Sequence, residues 1–479
     1  MLFNSYDYLI FLPIIFILYW IFKFNFKIQN YILLFASYFF YGWWSWKFLF
    51  LLFSSTLLDY LYGFVVDSDN RKRASFFLWL SIVNNVGLLF LFKYYDFFAK
   101  EFSSFLYHFN INTNPLLLNW VLPIGISFYT FHGMSYVFDI YNKKRKPISS
   151  FSNYALFVSF FPLLVAGPIE RSNHLLPQIQ SARFLKYSKF IEGSRLILWG
   201  MFKKVVIADG IVTFVDQIFS SYQFHNSNTL ITGAIGFSFQ IYCDFSGYTD
   251  IALGTAKLFG FELLTNFKFP YFAKDLSDFW RKWHISLSSW FRDYLYFPLG
   301  GSKFGILKSI RNTFIIFLVS GFWHGASWNY ILWGFIHACG FMPLLISGKN
   351  KINSDTTNSY NKILPSFYDF YKMSITFIFV TIAWIFFRMN NTTDAFLFIK
   401  NIFWGYIKNP ISILDKPYGG SIYYYIIPFV IIEWTLRRDE RLLRLPKNIF
   451  LRIFIYIFVT LLIFSFFDKS PNSFIYFQF

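Results

Sequence analysis

Long apolar blocks follow one another along the chain, separated by short polar or basic segments. Within the blocks the apolar residues are continuous rather than alternating with polar ones, which is typical of helices buried in a lipid bilayer. Two further stretches, near 191–209 and 277–299, have the spacing of amphipathic helices. The apolar blocks fall near residues 8–22, 31–44, 48–66, 75–93, 118–141, 151–167, 229–261, 309–346, 373–389, 419–436 and 448–467.

The composition strengthens this interpretation. Of the 479 residues, 56% are hydrophobic and only 14% are charged, whereas an average soluble protein has about 25% charged residues. At about 20 residues per crossing, we expect an all-α polytopic membrane protein with about ten to twelve transmembrane helices plus re-entrant or amphipathic segments. We expect residues 1–479 to form one membrane domain. A soluble enzyme, a DNA-binding module and a single-pass receptor are excluded.

The net charge of +18 indicates membrane topology rather than binding of nucleic acid. The Lys and Arg residues lie in short loops beside apolar blocks, where basic residues mark the cytoplasmic side. Two blocks lie between each consecutive pair of the first three basic clusters, at 23–27, 71–73 and 143–146, so all three clusters can lie on the cytoplasmic side. One block precedes the first cluster, which places the N-terminus outside. Only one block, 151–167, precedes the next basic stretch, so we expect a re-entrant segment turning near 165–168.

The last basic cluster, at 437–447, is followed by a single crossing. The C-terminal tail, 468–479, is therefore expected on the outside, and membrane lipids surround the whole domain.

Two histidines stand out because each lies among polar and small residues inside an apolar region. An ionisable group at membrane depth costs a few kcal/mol and usually faces a cavity where it has a function. A neutral imidazole can take a proton from a hydroxyl group and return it to a leaving thiol, which acyl transfer requires. The two segments are DFWRKWHISLSSWFRD at 278–293, with His284, and SGFWHGASWN at 320–329, with His324.

The spacing in the first segment places Arg281 and His284 on one helix with Trp283 and Ser286, which would suit the wall of a polar tunnel. An amphipathic helix lying at the cytoplasmic interface, with Trp and Arg as anchors, is the alternative. In the second segment, Gly321, Gly325 and Ala326 remove side-chain bulk around His324, so that a neighbouring helix or a thin acyl group can approach.

These segments resemble the membrane-bound O-acyltransferase (MBOAT) family, in particular its bacterial AlgI, PatA and DltB branch. Further motifs that resemble the branch occur in the same order along the chain: LPIGISFYTF at 122–131, VAGPIER at 165–171, YCDFSGYTD at 242–250 and NFKFPY at 266–271.

The resemblance implies a ring of transmembrane helices around a thin centre. It implies that His324 is catalytic and that His284 lies nearby in the tunnel. The donor thioester would approach from the cytoplasm and the acceptor from outside. The residues that we expect to contact substrate are Arg281, Trp283, Ser286, Trp323, Asn329, Asp244 and Ser246.

The chain ends NSFIYFQF at 472–479, where several aromatic residues surround one phenol, that of Tyr476. This ending resembles the aromatic tail that the branch uses at an external mouth. Richness in Phe and Tyr alone would also produce such an ending. A phenol beside His324 could act as a nucleophile and temporary acyl carrier, provided that a base takes its proton.

Together these features predict an acetyltransferase of the bacterial inner (cytoplasmic) membrane. We expect acetyl-CoA as the donor substrate, no bound cofactor or metal, and a cell-envelope polysaccharide as the acceptor, most simply peptidoglycan. An external SGNH or esterase-like partner is expected to complete the transfer. Alginate-type O-acetylation and D-alanyl transfer are the enzymatic alternatives. A polysaccharide flippase or transporter is the alternative without catalysis.

Overall fold

The computed structural model shows helices as the regular structure of the residues that it describes. The expectation of an all-α protein is therefore confirmed. Residue contacts divide the chain into two compact units, one formed by 1–197 with 251–264 and the other by 198–250 with 265–479. The described residues are 1–165, 167–351, 364–437, 445–467 and 474–475.

Some helices of the first unit begin at short polar side chains, which accept backbone N–H groups that a helix start leaves without a partner. Ser5 accepts the N–H of Tyr8, and Asn25 accepts that of Ile28. The helices are α1 (Tyr6–Ile21), α2 (Phe26–Gly42), α3 (Trp46–Val66), α4 (Arg71–Leu89), α5 (Tyr95–Tyr107), α6 (Ile126–Tyr141), α7 (Phe151–Ser159), α8 (Phe161–Leu164), α9 (Ser172–Ile179) and the larger part of α10 (Tyr187–Met201).

A buried carboxyl group joins three of these helices. Asp59 on α3 accepts hydrogen bonds from the Ser81 hydroxyl at 2.7 Å and from the Asn85 amide at 3.0 Å, both on α4. On α6, a Cβ atom added to Gly133 would lie 2.1 Å from an Asp59 carboxylate oxygen. Only glycine therefore allows α6 to approach this closely, and the hydrogen bonds satisfy a polar group that burial would otherwise destabilise.

The chain breaks repeatedly where the sequence predicts a re-entrant turn. Helix α7 has nine residues, about 14 Å of rise, which is half of the thickness of a bilayer core. It is followed by the four residues of α8, and the described residues between α8 and α9, 165 and 167–171, are not helical. The break is confirmed, and its residues are almost all buried, as non-helical backbone at membrane depth must be. The re-entrant path itself stays a prediction.

The second unit contains a tightly packed helical hairpin. A Cβ atom added to Gly321 would lie 2.1 Å from the Tyr330 carbonyl oxygen, and one added to Gly334 would lie 2.3 Å from that of Phe317. The expected close approach of a neighbouring helix to the His324 segment is thereby confirmed. The helices of the second unit are the end of α10, α11 (Asp209–Ser220), most of α12 (Ser227–Leu258), α13 (Leu276–Lys282), α14 (Ile285–Phe291), α15 (Ile306–His324), α16 (Trp328–Ile346), α17 (Phe367–Arg388), α18 (Thr392–Lys408), α19 (Tyr423–Leu436) and α20 (Ile449–Phe466).

Six helical segments within the described ranges are long and apolar enough to cross a membrane, which identifies a multi-pass membrane protein. The apolar block 309–346 holds two of them, because the chain turns at Gly325 between α15 and α16. The six segments are Trp46–Val66, Arg71–Tyr107, Ile306–His324, Trp328–Ile346, Phe367–Arg388 and Ile449–Phe466.

Candidate active site

His324 is the last residue of α15 and is 4% exposed. Aromatic rings enclose its imidazole: the ring centroids of Trp323, Trp333 and Phe387 lie 4.9, 5.3 and 5.2 Å away. A helix C-terminus carries a partial negative charge, which stabilises the positive charge that arises when a histidine there takes a proton. This position therefore suits a base.

His284 lies between α13 and α14 and is 1% exposed. Its φ of 44° places it in the left-handed region, where a residue other than glycine is strained. Its ring centroid is 4.7 Å from that of Phe245 and 6.1 Å from that of Trp323. Because Trp323 also contacts His324, a single indole lies against both candidate histidines.

The prediction that Arg281 and His284 share one helix is wrong. Helix α13 ends at Lys282 and α14 begins at Ile285. Asn266 causes the break: its carbonyl oxygen accepts the Ile285 N–H at 2.9 Å, and its amide oxygen accepts the Ser286 hydroxyl. A distant segment thus takes a donor that a continuous helix would have used internally.

The break separates the predicted substrate contacts of this segment. Arg281 is exposed and donates a hydrogen bond to the carbonyl oxygen of Asn350. Trp283 is buried, and its ring centroid lies 5.0 Å from that of Trp384. An interfacial helix with Trp283 as an anchor in the headgroup region does not account for this burial. Contact of Arg281, Trp283 and Ser286 with substrate stays a prediction.

Asn329 lies at the start of α16, next to the turn that follows His324. Its amide group donates a hydrogen bond to the carbonyl oxygen of Met389, just after α17. The residue is 1% exposed. Asn329 therefore ties the beginning of α16 to the end of α17 on the same side of the hairpin as His324, and a direct substrate contact stays a prediction.

Asp244 and Ser246, on α12, belong to a buried network with charged groups of the segment 203–209. Lys204 Nζ lies 2.6 Å from Asp244 Oδ1 and 2.9 Å from Asp209 Oδ1. Lys203 Nζ lies 2.8 Å from Asp250 Oδ2 and donates to the Ser246 hydroxyl at 2.9 Å. Both polar side chains thus have partners within the protein, and binding of substrate by either stays a prediction.

Two residues of the C-terminal tail are buried against α12. The Ile475 N–H donates a hydrogen bond to Asp244 Oδ2 at 2.7 Å. The Phe474 ring lies 5.5 Å from Phe245 and 5.0 Å from Tyr248. Tyr476 and Ser473 lie outside the described residues. The tail therefore reaches Phe245, whose ring also contacts that of His284.

Sequence reasoning did not single out three buried residues of the second unit. On α16, the Trp333 and His337 rings lie 4.9 Å apart, and Trp333 contacts His324. Glu433 on α19 accepts the Tyr242 hydroxyl at 2.7 Å. The i, i+4 spacing of Trp333 and His337, and a lone carboxylate in the apolar block 419–436, were signals that could have identified them.

Comparisons with known proteins identify relatives of this chain. The sequence profile of the membrane-bound O-acyltransferase family (MBOAT) matches residues 126–389, more than half of the chain, including both histidines. The probable alginate O-acetylase AlgI of Pseudomonas putida is 36% identical over 395 residues, which are 82% of this chain and 78% of the relative.

Two further relatives are named for other activities. The peptidoglycan O-acetyltransferase of Helicobacter pylori is 35% identical over 398 residues, covering 77% of this chain and 73% of the relative. The teichoic acid D-alanyltransferase of Bacillus subtilis is 30% identical over 229 residues, covering 46% and 58%. The profile match and the extent of these similarities place the chain in the membrane-bound O-acyltransferase family, as an acyltransferase of the membrane.

Proposed function

We propose that the protein transfers an acetyl group from cytoplasmic acetyl-CoA across the membrane for O-acetylation of a cell-envelope polysaccharide. One observation carries the proposal. A continuous series of ring contacts runs from Phe474 in the tail through Phe245, His284 and Trp323 to His324. This series supports the proposal, because a two-step transfer requires the tail and both histidines to lie in the same part of the protein.

In the proposed first step, the phenol oxygen of Tyr476 attacks the thioester carbonyl carbon and its proton passes to His324. The C–S bond breaks as the C–O bond forms, and the departing thiolate takes the proton from His324. The acetyl group is then held as a phenyl ester. In the second step, a nucleophile of the external partner takes the acetyl group, and its proton neutralises the phenolate.

His284 is proposed to orient the donor rather than to transfer protons. It shares Trp323 with His324 and also contacts Phe245. Its backbone is strained at φ 44° and is held by the hydrogen bonds of Asn266 to the next two residues. Strain that the surrounding structure maintains is typical of groups whose position is important for function.

Peptidoglycan is the proposed acceptor, with an SGNH or esterase-like protein outside the membrane as the partner. Identities of 35% and 36% to relatives named for peptidoglycan and alginate do not discriminate between these glycans. The 71 Phe and 33 Tyr residues indicate an A/T-rich source. Because an alginate producer is expected to have a GC-rich genome, this composition favours peptidoglycan as the acceptor. D-alanyl transfer ranks third, because the similarity to the teichoic acid enzyme covers less of the chain.

Mass spectrometry of envelope glycans from a deletion strain tests this function. We expect O-acetyl groups to disappear from peptidoglycan and to return when the intact gene is supplied. Retention of acetylated peptidoglycan, with loss of acetyl esters from another glycan, would move the acceptor assignment to the alginate type. Loss of D-alanine esters alone would instead identify the donor group as D-alanyl and overturn the acetyl assignment.

We further propose about ten to twelve crossings of the bacterial cytoplasmic membrane, with both termini outside. Asp69 is exposed in the turn between α3 and α4, which the positive-inside rule places in the cytoplasm. In a variant without exposed Cys339, a cysteine at Asp69 should resist an impermeant thiol reagent applied to intact cells, and one at Ser473 should react. Labelling at Asp69 with none at Ser473 would invert the topology.

A further inference from the structure

The C-terminal tail is attached to the protein interior near the middle of a helix rather than at its end. Helix α12 has 32 residues, and Asp244 lies at about its midpoint. Phe474 and Ile475 are 1% and 5% exposed there. Since 231 residues separate Asp244 from Ile475 in sequence, this contact is a specific feature of the tertiary structure.

The two oxygens of Asp244 have different partners. Oδ1 faces the Lys204 ammonium at 2.6 Å, and Oδ2 accepts the Ile475 N–H at 2.7 Å. Lys204 also pairs with Asp209 at 2.9 Å, so it keeps a counter-ion if Asp244 loses its charge. The ion pair therefore fixes the orientation of the carboxylate, and the remaining oxygen is presented to the tail.

We propose that Asp244 is a positioning residue that sets the register of the tail. The proposal rests on the acyl-carrier role suggested above for Tyr476. Residue 476 is bonded directly to Ile475, and consecutive Cα atoms are about 3.8 Å apart. Fixing the Ile475 backbone therefore restricts where the following phenol can lie, and a slip by one residue would present Phe477 or Ile475 instead, neither of which has a hydroxyl group.

The aromatic contacts support the same register. Phe474 packs against Phe245 on α12, and Phe245 packs against His284. Phe245 directly follows Asp244 in α12. The ring contact therefore joins Phe474 to Phe245, and the hydrogen bond joins the next tail residue, Ile475, to the adjacent helix residue, Asp244. A hydrogen bond from a backbone N–H fixes the position of the main chain but could form at any residue other than proline. The ring contact requires an aromatic side chain, which position 474 has and position 475 does not. The two contacts together are specific for one alignment.

Asp244→Asn is the sharpest test, because an amide has one acceptor oxygen where a carboxylate has two. That oxygen can serve Lys204 or Ile475, and the amide N–H₂ group would then face the other donor. Asp209→Asn is the matched control, since it removes the same charge beside Lys204 without touching the tail. A charge-assisted hydrogen bond contributes about 10-fold to 100-fold to an equilibrium constant.

Two readouts separate docking from chemistry. In a Cys339→Ser background, a cysteine replacing Ile475 measures docking by its rate of reaction with an impermeant thiol reagent. O-acetylation of envelope glycan measures transfer. We expect Asp244→Asn to raise the labelling rate and to lower acetylation, each by at least about tenfold, whereas Asp209→Asn changes neither at equal abundance of the protein.

A second variant covers the case in which Asp244→Asn does not accumulate in the membrane. Ile475→Pro removes the N–H donor and leaves the Lys204 ion pairs intact, and Ile475→Ala keeps the donor as its control. Ile475→Pro should lower acetylation at least about tenfold relative to Ile475→Ala.

Faster labelling with unchanged acetylation would overturn the positioning role and leave the carrier role in place. Slow labelling in Asp244→Asn would show that the tail docks without this bond, which also overturns it. If Tyr476→Phe acetylates normally while Asp244→Asn does not, the carrier role fails and Asp244 positions a tail that has another purpose.

Discussion

Replacing His324 by alanine should abolish acetylation of the envelope glycan while the protein still inserts in the membrane. The imidazole is the proposed proton carrier between phenol and thiol, and loss of general acid–base catalysis costs about 10²-fold to 10⁴-fold. The helical hairpin should survive, because its closest contacts join Gly321 to the Tyr330 carbonyl and Gly334 to that of Phe317. Mass spectrometry of glycan esters, normalised to membrane abundance, provides the measurement.

His284→Ala is the matched comparison, since His284 is as deeply buried and shares Trp323 with His324. An orienting residue should leave weak but measurable transfer, about 10²-fold below the unaltered protein. Full activity of a well-expressed His324→Ala protein would remove His324 from the catalytic role. Equal loss in both variants would contradict the division into proton transfer and orientation.

Tyr476→Phe should eliminate glycan acetylation at unchanged protein abundance. The substitution removes one hydroxyl and keeps the ring, so the packing of the aromatic tail is preserved and only the proposed nucleophile is lost. In the unaltered protein, an acetyl ester on Tyr476 should accumulate when the external partner is absent. Peptide mass spectrometry of the C-terminal fragment measures that adduct, and Tyr476→Phe is its negative control.

The tail also permits an outcome that separates docking from chemistry. Normal acetylation by Tyr476→Phe, together with none after deletion of residues 473–479, would identify the tail as a docking element. Direct transfer through His324 would then be the better mechanism. Absence of the adduct in a partner-deficient strain, with Tyr476→Phe still inactive, would contradict a covalent carrier.

Several helices could be predicted closely from the sequence because apolar surroundings oblige each segment to satisfy its own backbone hydrogen bonds. Helices α5 and α18 correspond to no predicted block, and the block 118–141 is helical only from Ile126. The block 229–261 matches α12, and the block 448–467 matches α20 to within a residue. The block 309–346 was less informative, since an unbroken apolar run does not show where a chain turns. There the turn depends on Gly325, whose added Cβ would lie 2.2 Å from the Tyr330 ring.

The sequence by itself determined the membrane class, many of the helical segments, the two candidate histidines and the family resemblance. These depend on local composition, on hydrogen bonding within each segment and on motifs of a few residues. The tertiary structure decided which groups meet: Asn266 interrupts the helix beside His284, Trp323 lies against both histidines, and Asp244 holds Ile475. Such contacts join residues far apart along the chain. They depend on how close the helix backbones approach one another, which the periodicity of any single segment does not specify.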